Sequence, residues 1–390
     1  MLRVLTLSTL FPDATRPNFG VFVERQTLGL AALPDTAVTV VAGRGLPPGP
    51  LARVGRYAPL AALPEREGWK GLDVRRPRFA ALPFTAGRFH ARALARAVAP
   101  VVAGGRFDVI DASFFFPDGV AAVALGRRFG VPVSIKARGA DIHHWGRAGP
   151  TAAQVLAAGR AADGLLAVSA AMRDDMAALG LPAGRIRVHH TGVDQDRFAP
   201  QPRAPLKASL DVSGPLIVST GALIPRKGHE VVVEALVRLP DATLLIAGEG
   251  PEGPRLQALA GRLGVSGRVR LLGSVPHADL PRLLAAADVM ALASSSEGLA
   301  NAWVEALACG TPIVVTAAGG AGEVVTSPAA GRVAAREPAA FAAAIADLLA
   351  HPPEPQAVRA HAARFTWEAN ARALRAHLAG LVEARRQSSG

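Results

Sequence analysis

Short apolar segments alternate along the chain with alanine-rich segments in which apolar residues recur at helical spacing. The apolar segments predict strands at residues 4–8, 38–42, 109–111, 133–136, 164–168, 216–220, 243–247, 269–272, 289–291 and 313–316. Helical spacing predicts helices at residues 21–33, 91–103, 119–129, 170–179 and 365–374. Alternation of this kind is typical of βαβ units that build a parallel sheet.

Two proline-rich segments interrupt the alternation. Residues 43–83 lack a clear period and are predicted to be mainly loop and irregular strand. Proline recurs every few residues from 198 to 205, and the alternation then restarts. The pattern predicts an α/β fold of two doubly wound domains, at residues 1–198 and 199–364, with a helix and a frayed tail at 365–390. Such sheets bind ligands at the carboxyl ends of their strands, so a cleft between the domains is the expected site.

Composition narrows the class of protein. The length of 390 residues fits two domains of about 100–200 residues each. The single cysteine, Cys309, excludes a disulfide framework and a cysteine-rich metal site, and it favours a reducing cytoplasm. The apolar start of the chain is short and runs into Pro12 and Asp13 without a cleavage site, which predicts a buried first strand rather than a signal peptide.

The formal net charge is +12, and arginine is far more frequent than lysine. Such a balance reflects either a general compositional bias or contact with an anionic surface. Arg88, Arg92 and Arg96 follow one another at helical spacing and form a basic stripe. The stripe is either a solvated helix face or a contact with anionic lipid headgroups, so peripheral contact with the inner face of the plasma membrane is a hypothesis. No nucleic-acid partner is expected.

The strongest chemical signal follows the predicted strand at 289–291. Ser294, Ser295 and Ser296 lead to Glu297-Gly298-Leu299-Ala300-Asn301 and then to a short helix. A strand end followed by small residues and a helix N-terminus exposes backbone N–H groups that suit a phosphate. Glu297 can accept hydrogen bonds from sugar hydroxyls. Glu305, about two helical turns further on, can accept them from a ribose diol.

This segment resembles the retaining, nucleotide-sugar-dependent glycosyltransferases of family 4. Their signature holds two glutamates in the context S-x-x-E-G-x-x-x-x-x-x-E-A-x-A-x-G-x-P. The positions that match are Ser294, Glu297, Gly298, Glu305, Ala306, Ala308, Gly310 and Pro312. The resemblance implies two facing Rossmann-like domains (the GT-B fold), an N-terminal acceptor-binding domain, a C-terminal donor-binding domain and a C-terminal helix that crosses back to the first domain.

Further segments extend the resemblance over nearly the whole chain. Residues 18–26 look like the family's first glycine loop, which assigns Gly20 to the donor diphosphate because glycine permits close backbone approach. Residues 191–200 resemble the joint between the domains, and residues 365–368 resemble the start of the crossing helix. Residues 247–251 resemble an A-G-x-G-P loop, which places Gly250 with the donor. The backbone of Gly298, Leu299, Ala300 and Asn301 is assigned to the donor in the same way.

Residues 221–228 resemble the family's phosphate-contacting G-R-L-x-x-x-K-G loop. The resemblance assigns Lys227 to the departing diphosphate, where a positive charge stabilises the negative charge that develops. Ala222 occupies the position of the usual arginine. Arg226 either supplies this second cation or is a solvated loop residue.

A second departure lies at residues 136–144. Many relatives carry H-G-x-D here, with the histidine beside the reacting sugar, whereas this chain has Arg138-Gly139-Ala140-Asp141. A guanidinium is not a base near neutral pH, but it can hold a phosphate or a hydroxyl, with Asp141 orienting it. His143 and His144 either face the acceptor or are exposed loop residues.

No essential metal and no cofactor beyond the nucleotide sugar are expected. Asp194-Gln195-Asp196 reads as D-x-D, a metal–diphosphate signature in other glycosyltransferases, but it lies within the predicted joint. The G-x-G-x-x-G loop of dinucleotide-binding proteins is absent after the first strand.

The sequence therefore predicts a metal-independent, retaining hexosyltransferase in the cytoplasm. It moves sugar from a UDP- or GDP-sugar to a glycan or lipid-linked acceptor in polysaccharide or cell-envelope biosynthesis. One alternative is a degenerate donor-binding or partner-binding subunit of a polysaccharide assembly system, which the departures at Ala222 and Arg138 keep open. Two others are a sugar-nucleotide epimerase, against which the glutamate-pair context argues, and a phosphorylase of the same plan, whose cofactor-lysine context is not apparent.

Overall fold

A computed structural model describes residues 1–388, and Ser389 and Gly390 of the predicted frayed tail lie outside the described residues. The chain forms two compact units. The first is Met1–Gly192 together with the C-terminal helix, and the second is Val193–Thr366. The sequence places the boundaries a few residues away, at 198 and 364. No helix among the described residues is long and apolar enough to cross a bilayer.

The first unit is built on a mainly parallel sheet. Its strands are β1 (Leu2–Leu7), β2 (Thr36–Val41), β3 (Arg44–Leu46), β4 (Arg66–Trp69), β5 (Leu72–Arg75), β6 (Arg78–Ala80), β7 (Val109–Ala112), β8 (Val133–Ala137), β9 (Gly164–Ala167) and β10 (Ile186–Val188). The sheet order is β10-β9-β8-β7-β1-β2-β5-β4, while β3 and β6 pair separately in parallel. Its helices are α1 (Val21–Ala31), α2 (Ala58–Ala62), α3 (His90–Ala103), α4 (Val120–Phe129), α5 (Gly149–Ala161) and α6 (Ala170–Ala178).

The second unit is built on a six-stranded parallel sheet. Its strands are β11 (Leu216–Thr220), β12 (Thr243–Ala247), β13 (Val269–Gly273), β14 (Val289–Leu292), β15 (Ile313–Val315) and β16 (Gly331–Val333), in the order β13-β12-β11-β14-β15-β16. Its helices are α7 (Arg203–Ala208), α8 (His229–Ala235), α9 (Gly253–Arg262), α10 (Leu280–Ala286), α11 (Asn301–Ala308), α12 (Ala321–Val324), α13 (Pro338–Ala350) and α14 (Pro355–Ala360).

The C-terminal helix, α15 (Trp367–Gln387), completes the core of the first unit. Leu374, Leu378 and Val382 recur every four residues and pack in one cluster with Val4 and Leu30. This spacing places the three side chains on one face of the helix. The chain therefore leaves the first unit at residue 192 and returns to it through α15.

The predicted α/β class with parallel sheets is confirmed, and each predicted strand corresponds to an observed one. Residues 43–83 were predicted to be mainly loop and irregular strand, and the strands there prove to be regular, because β4 and β5 form an antiparallel hairpin at the end of the large sheet and β3 pairs with β6. Strands β4 and β5 have only four residues each. In β5 the buried Leu72 and Val74 alternate with Asp73 and Arg75, so the apolar signal is weak.

Each sheet has a point at which the strand order reverses direction. It lies between β1 and β7 in the first unit and between β11 and β14 in the second. At such a point the loops at the carboxyl ends of the two strands leave the sheet on opposite sides and open a crevice for ligands. The loops after β11 and β14 carry the sequence segments 221–228 and 294–301, so the fold itself brings these two motifs together.

Candidate active site

Glu297 joins the two loops at the reversal point of the second unit. Its Oε1 accepts hydrogen bonds from Lys227 Nζ at 2.5 Å and from Ser294 Oγ at 2.7 Å. Its Oε2 lies 3.5 Å from Nη1 of Arg226. Only 7% of Glu297 is exposed, so its carboxylate is held in a fixed place between both loops.

The two cations differ in how firmly they are held. Lys227 is largely buried, whereas the side chain of Arg226 is 43% exposed. Nη1 of Arg226 also donates to the carbonyl oxygen of Ser296 at 2.5 Å, so its side chain turns towards the loop after β14. Two cations and one carboxylate leave one net positive charge in this cluster, which favours an anionic ligand.

Glycines allow the backbone of these loops to approach closely. Gly319 has φ +53°, and a Cβ atom there would lie 2.3 Å from the carbonyl oxygen of Glu297. Its neighbour Gly320 donates its N–H to the carbonyl oxygen of Gly298 at 2.8 Å. The turn that carries Glu297 therefore packs directly on the backbone of Gly319 and Gly320, where there is no room for a side chain at Gly319.

Gly250 supports the loop after β11. A Cβ atom at Gly250 would lie 2.4 Å from the carbonyl oxygen of Leu223. The N–H groups of Leu223 and Glu252 also tie the two loops together, because they donate to the carbonyl oxygens of Glu249 and Leu223, respectively. The observed contacts of Gly250 therefore shape the loop that carries Arg226 and Lys227.

Helix α11 begins directly after the glutamate loop. Its N-cap is Ala300, no side chain of the described residues caps it, and its first turn contains no acidic residue. Gly298, Leu299 and Ala300 are buried, so the backbone rather than the side chains carries the polar character of this turn. The uncapped N–H groups at Asn301 and the residue after it, with the positive end of the helix dipole, suit an anionic group.

Glu305 lies on α11 and has a partner that the sequence analysis missed. Oε1 of Glu305 lies 3.1 Å from Nε2 of His277, which is in the loop after β13. The His277 ring packs edge-on against Phe198, with ring centroids 5.4 Å apart. The one feature of the sequence that could have selected His277 is its position after the end of a strand, because ligands bind at that edge of a parallel sheet.

His229 lies buried behind the loop after β11. Its Nδ1 is 2.9 Å from Oγ of Ser219, and burial lowers the pKa of the imidazole to about 4. The ring is therefore neutral at physiological pH and acts as a packed, uncharged support. Sequence motifs give no reason to select it.

In the first unit, Gly20 has a comparable place at the end of the loop after β1. It caps α1 with φ +76°, and a Cβ atom there would lie 2.5 Å from the carbonyl oxygen of Leu10. The N–H groups of Val23 and Glu24 both donate to the carbonyl oxygen of Gly20. Close approach of the backbone is thus a feature of this position in the fold.

Arg138 follows β8 and is held by neutral groups. Its Nε donates to the carbonyl oxygen of Ser113 at 3.0 Å, and its Nη2 donates to Oε1 of Gln26 at 3.2 Å. The guanidinium lies 4.8 Å from the centre of the Phe22 ring, in the first turn of α1. Burial lowers the pKa of Arg138 to about 10, which leaves it a cation near neutral pH.

Asp141 organises the backbone around Arg138. Its carboxylate accepts hydrogen bonds from the backbone N–H groups of Arg138, Gly139 and Phe115, at 2.8 to 3.3 Å. Asp141 is fully buried, and within residues 1–388 the Arg138 guanidinium donates to Ser113 and Gln26 rather than to this carboxylate. Asp141 therefore shapes the loop that presents Arg138, and its hydrogen bond to this residue goes to the backbone N–H.

A buried polar cluster lies beside Arg138. The ammonium of Lys136 is 2.8 Å from Nδ1 of His189 and donates to Oε1 of Gln26 at 3.0 Å. Nε2 of His189 donates to the carbonyl oxygen of Asn370 on α15 at 2.9 Å. Burial lowers the pKa of Lys136 and of His189 and raises that of the nearby Asp111 to about 6.

The remaining candidates have local partners. Nε2 of His143 is 2.8 Å from the Asp175 carboxylate, and His144 packs against Trp145 with ring centroids 4.8 Å apart. Asp194 Oδ1 accepts the backbone N–H of Arg197 at 3.3 Å, as an aspartate does at a turn. Residues 1–388 contain no group of three or more His, Cys, Asp or Glu side chains that could hold a metal ion.

Each half of the chain matches a family model of known proteins. The family model described as Glycosyltransferase Family 4 matches residues 22–197, and the model described as Glycosyl transferases group 1 matches residues 203–365. The two matches follow one another and together leave only the chain ends and a short joint unmatched.

Two curated mycobacterial relatives are similar in sequence. The GDP-mannose-dependent alpha-(1-6)-phosphatidylinositol monomannoside mannosyltransferase of Mycolicibacterium smegmatis is 35% identical over 59% of this chain and 64% of its own length. The D-inositol 3-phosphate glycosyltransferase of Mycolicibacterium gilvum is 37% identical over 47% of this chain and 44% of its own. The chain thus spans about half the length of the curated relatives it matches.

Solved structures share the fold over almost the whole chain. The sucrose-phosphate synthase of Thermosynechococcus elongatus has a TM-score of 0.85 at 21% identity and covers 98% of this chain and 100% of its own. HepE of Anabaena in complex with UDP has a TM-score of 0.74 at 20% identity, with 97% and 100% covered. At these identities the similarity establishes the fold alone.

Proposed function

Because the chain belongs to glycosyltransferase family 4, we propose that it transfers a hexose from a UDP- or GDP-sugar to a glycan or lipid-linked acceptor in cell-envelope or polysaccharide biosynthesis. The observation that carries the proposal is the cluster of Lys227, Ser294 and Glu297 at the reversal point of the second sheet. A net positive charge, an uncapped helix N-terminus and a buried carboxylate are what a diphosphate joined to a sugar requires.

Each donor-site residue has one task in this proposal. Lys227 neutralises the departing diphosphate, assisted by the more exposed Arg226 and by the backbone at Asn301. Glu297 orients the sugar through its hydroxyl groups, and Glu305 accepts hydrogen bonds from the ribose. The GDP-mannose dependence of one relative and the UDP in one neighbour's structure make these two nucleotides the first to test.

The reaction is proposed to retain the anomeric configuration without a metal. The acceptor hydroxyl attacks the anomeric carbon on the face from which the diphosphate leaves. The bond between that carbon and the diphosphate oxygen breaks, and the acceptor proton passes to the departing diphosphate. Lys227 and the N-terminus of α11 supply the positive charge that a metal ion supplies in other enzymes. The family resemblance supports retention.

We also propose a cytoplasmic enzyme that contacts anionic lipid. Cysteine usage, a single residue at Cys309, supports the cytoplasm, and the formal charge of +12 supports contact with anionic lipid. A lipid-linked acceptor brings the reaction to a membrane surface.

Release of nucleoside diphosphate from GDP-mannose and UDP-glucose tests the proposed reaction. The wild-type protein is expected to release it slowly without an acceptor and faster with one, and Glu297→Ala and Lys227→Ala are each expected to lower the release at least about 10²-fold. Arg255→Ala is the matched control, because Arg255 forms a 2.5 Å ion pair with Glu252 in the same unit. Undiminished release by both site variants would overturn the proposal.

A second candidate is a donor-binding subunit without transferase activity. Ala222 in place of an arginine and Arg138 in place of a histidine favour it. Nucleotide-sugar binding that is lost in Glu305→Ala, together with no release of diphosphate from any donor, would select this alternative.

A further inference from the structure

An apolar surface with a basic rim lies at one edge of the first unit. It consists of two loop segments, residues 47–62 after β3, which include the short helix α2, and residues 81–89 after β6. Because β3 and β6 are parallel neighbours, both loops leave from the same edge. The N–H of Ala81 donates to the carbonyl oxygen of Leu46 at 2.8 Å, and Nη2 of Arg78 donates to that of Ala61 at 2.9 Å, so the loops stay side by side.

Large apolar side chains of both loops point into solvent. Phe84 is fully exposed at 107%, Val54 and Leu51 are exposed at 56% and 55%, and Phe89 at 45%. An exposed single apolar residue is common, but here five, Leu82 included, lie on two adjacent segments at one edge of the unit. They make up more than half of the large apolar side chains that are exposed among residues 1–388.

The backbone holds Phe84 in this position. Phe84 has φ +60° and Ala86 has φ +45°, conformations that are unfavourable for residues other than glycine. The loop is fixed on its inner side, where Gly87 packs against the rings of Phe116 and Trp145. A strained backbone that presents an aromatic ring to solvent is maintained by its surroundings and is common at binding sites.

The charge of this surface is entirely positive. Arg53 and Arg56 lie in the first loop, Arg88 in the second, and Arg92 follows on the exposed side of α3. No aspartate or glutamate occurs between residues 35 and 65 or between residues 73 and 108. A twofold contact with a second copy would oppose these arginines to one another, whereas an anionic lipid surface complements them.

We propose that this surface docks the first unit on an anionic bilayer, with Phe84 and Phe89 inserted at the headgroup level and the arginines on lipid phosphates. The inference deepens the membrane contact proposed above and does not depend on the sugar-transfer reaction. Exposed aromatic residues with a cationic rim are the composition that interfacial binding requires. The arginine stripe of the sequence analysis, which includes Arg92, forms one border of this surface.

Flotation of the full chain with vesicles tests the docking surface. Vesicles of phosphatidylcholine with about one third phosphatidylglycerol are expected to carry the wild-type protein, and pure phosphatidylcholine vesicles to carry at least tenfold less, since each basic residue near an anionic surface contributes to binding. Phe84→Ser combined with Phe89→Ser is expected to lower binding at least tenfold. Val237→Ser is the matched control, because Val237 is 47% exposed on the second unit.

Insertion is measured separately with Phe84→Trp, whose fluorescence is expected to shift to shorter wavelength and to be quenched by brominated lipid. Equal flotation of wild type and the double serine variant, or no quenching at position 84, would overturn the proposal. So would a concentration-dependent dimer in solution that the serine changes abolish, since the surface would then bind a second copy. Diphosphate release by the serine variant without vesicles is expected at the wild-type rate, so the two proposals fail separately.

Discussion

At the scale of single residues, the proposed donor site depends on one buried cation. Lys227 is held 2.5 Å from Glu297, while Arg226 is 43% exposed and bonded to a carbonyl oxygen. A charge in a partly buried place stabilises a departing diphosphate more strongly than one that water screens. The two adjacent cations of one loop therefore differ in their expected contribution.

Lys227→Ala is expected to lower the rate of diphosphate release about 10²–10³-fold, the usual effect of removing one electrostatic contact to a transition state. Arg226→Ala is the matched neighbour and is expected to lower it less than tenfold. Steady-state kinetics with GDP-mannose or UDP-glucose measures both. A larger effect of Arg226→Ala than of Lys227→Ala would show that the exposed arginine, rather than the lysine, stabilises the departing diphosphate.

His277 is expected to position Glu305 rather than contact the reacting sugar. His277→Ala should raise the KM for the donor about tenfold and leave kcat within twofold, because it weakens a contact that is equal in the ground state and the transition state. His351→Ala, which removes an imidazole that is 78% exposed, is the control. A fall in kcat at unchanged KM would contradict the positioning role.

At the scale of elements, short glycine segments hold the loops of the site. Gly319→Ala places a Cβ atom 2.3 Å from the carbonyl oxygen of Glu297. The substitution is therefore expected to lower the free energy of unfolding by about 1–3 kcal/mol and to impair diphosphate release. Gly322→Ala, three residues on and with open space around it, is expected to raise this free energy by about 0.5–1 kcal/mol. Urea unfolding measures both free energies. Equal effects of the two substitutions would contradict the role of Gly319 in holding the turn of Glu297.

The packing of α15 gives the stability a pH dependence. Burial lowers the pKa of His377, which lies 3.1 Å from Oγ of Ser134, to about 4. The unfolded chain then binds more protons than the folded one between pH 6.5 and 4, so stability is lost as the pH falls through this window. Between pH 7 and pH 5 the loss is about 2 kcal/mol. The free energy of unfolding of His377→Gln, measured in urea, is expected to lack this part of the pH dependence. A pH dependence identical to that of the wild-type protein would refute the role of His377.

Sequence patterns predicted the elements with long apolar runs and the residues inside dense motifs. β14 and Glu297 are examples, since the buried strand and the helix start of α11 are both local signals. The hairpin of β4 and β5 was missed because its strands have four residues each, with Trp69 the one large apolar residue of β4 and only Leu72 and Val74 apolar in β5. His277 was missed because its contact with Glu305 spans 28 residues, and no local pattern encodes a pairing of that kind.

At the scale of the whole molecule, each unit carries its own chemistry at its own sheet edge. In the second unit, the loops after β11 and β14 form the cluster proposed to bind the donor. In the first, the loops after β1 and β8 carry Gly20 and Arg138, and a separate edge carries the exposed Phe84. Because Arg138 remains a cation near neutral pH and is held by Gln26 and Ser113, it cannot act as a general base there.

Thermal unfolding of the wild-type protein with a series of nucleotide sugars tests the central claim most directly. A donor present at 100 times its dissociation constant stabilises the folded state by about 2.7 kcal/mol. At least one UDP- or GDP-sugar is therefore expected to raise the unfolding temperature by several degrees, and Glu305→Ala is expected to remove the rise. No rise with any UDP- or GDP-sugar, or a rise that Glu305→Ala leaves unchanged, would contradict a donor site at this cluster.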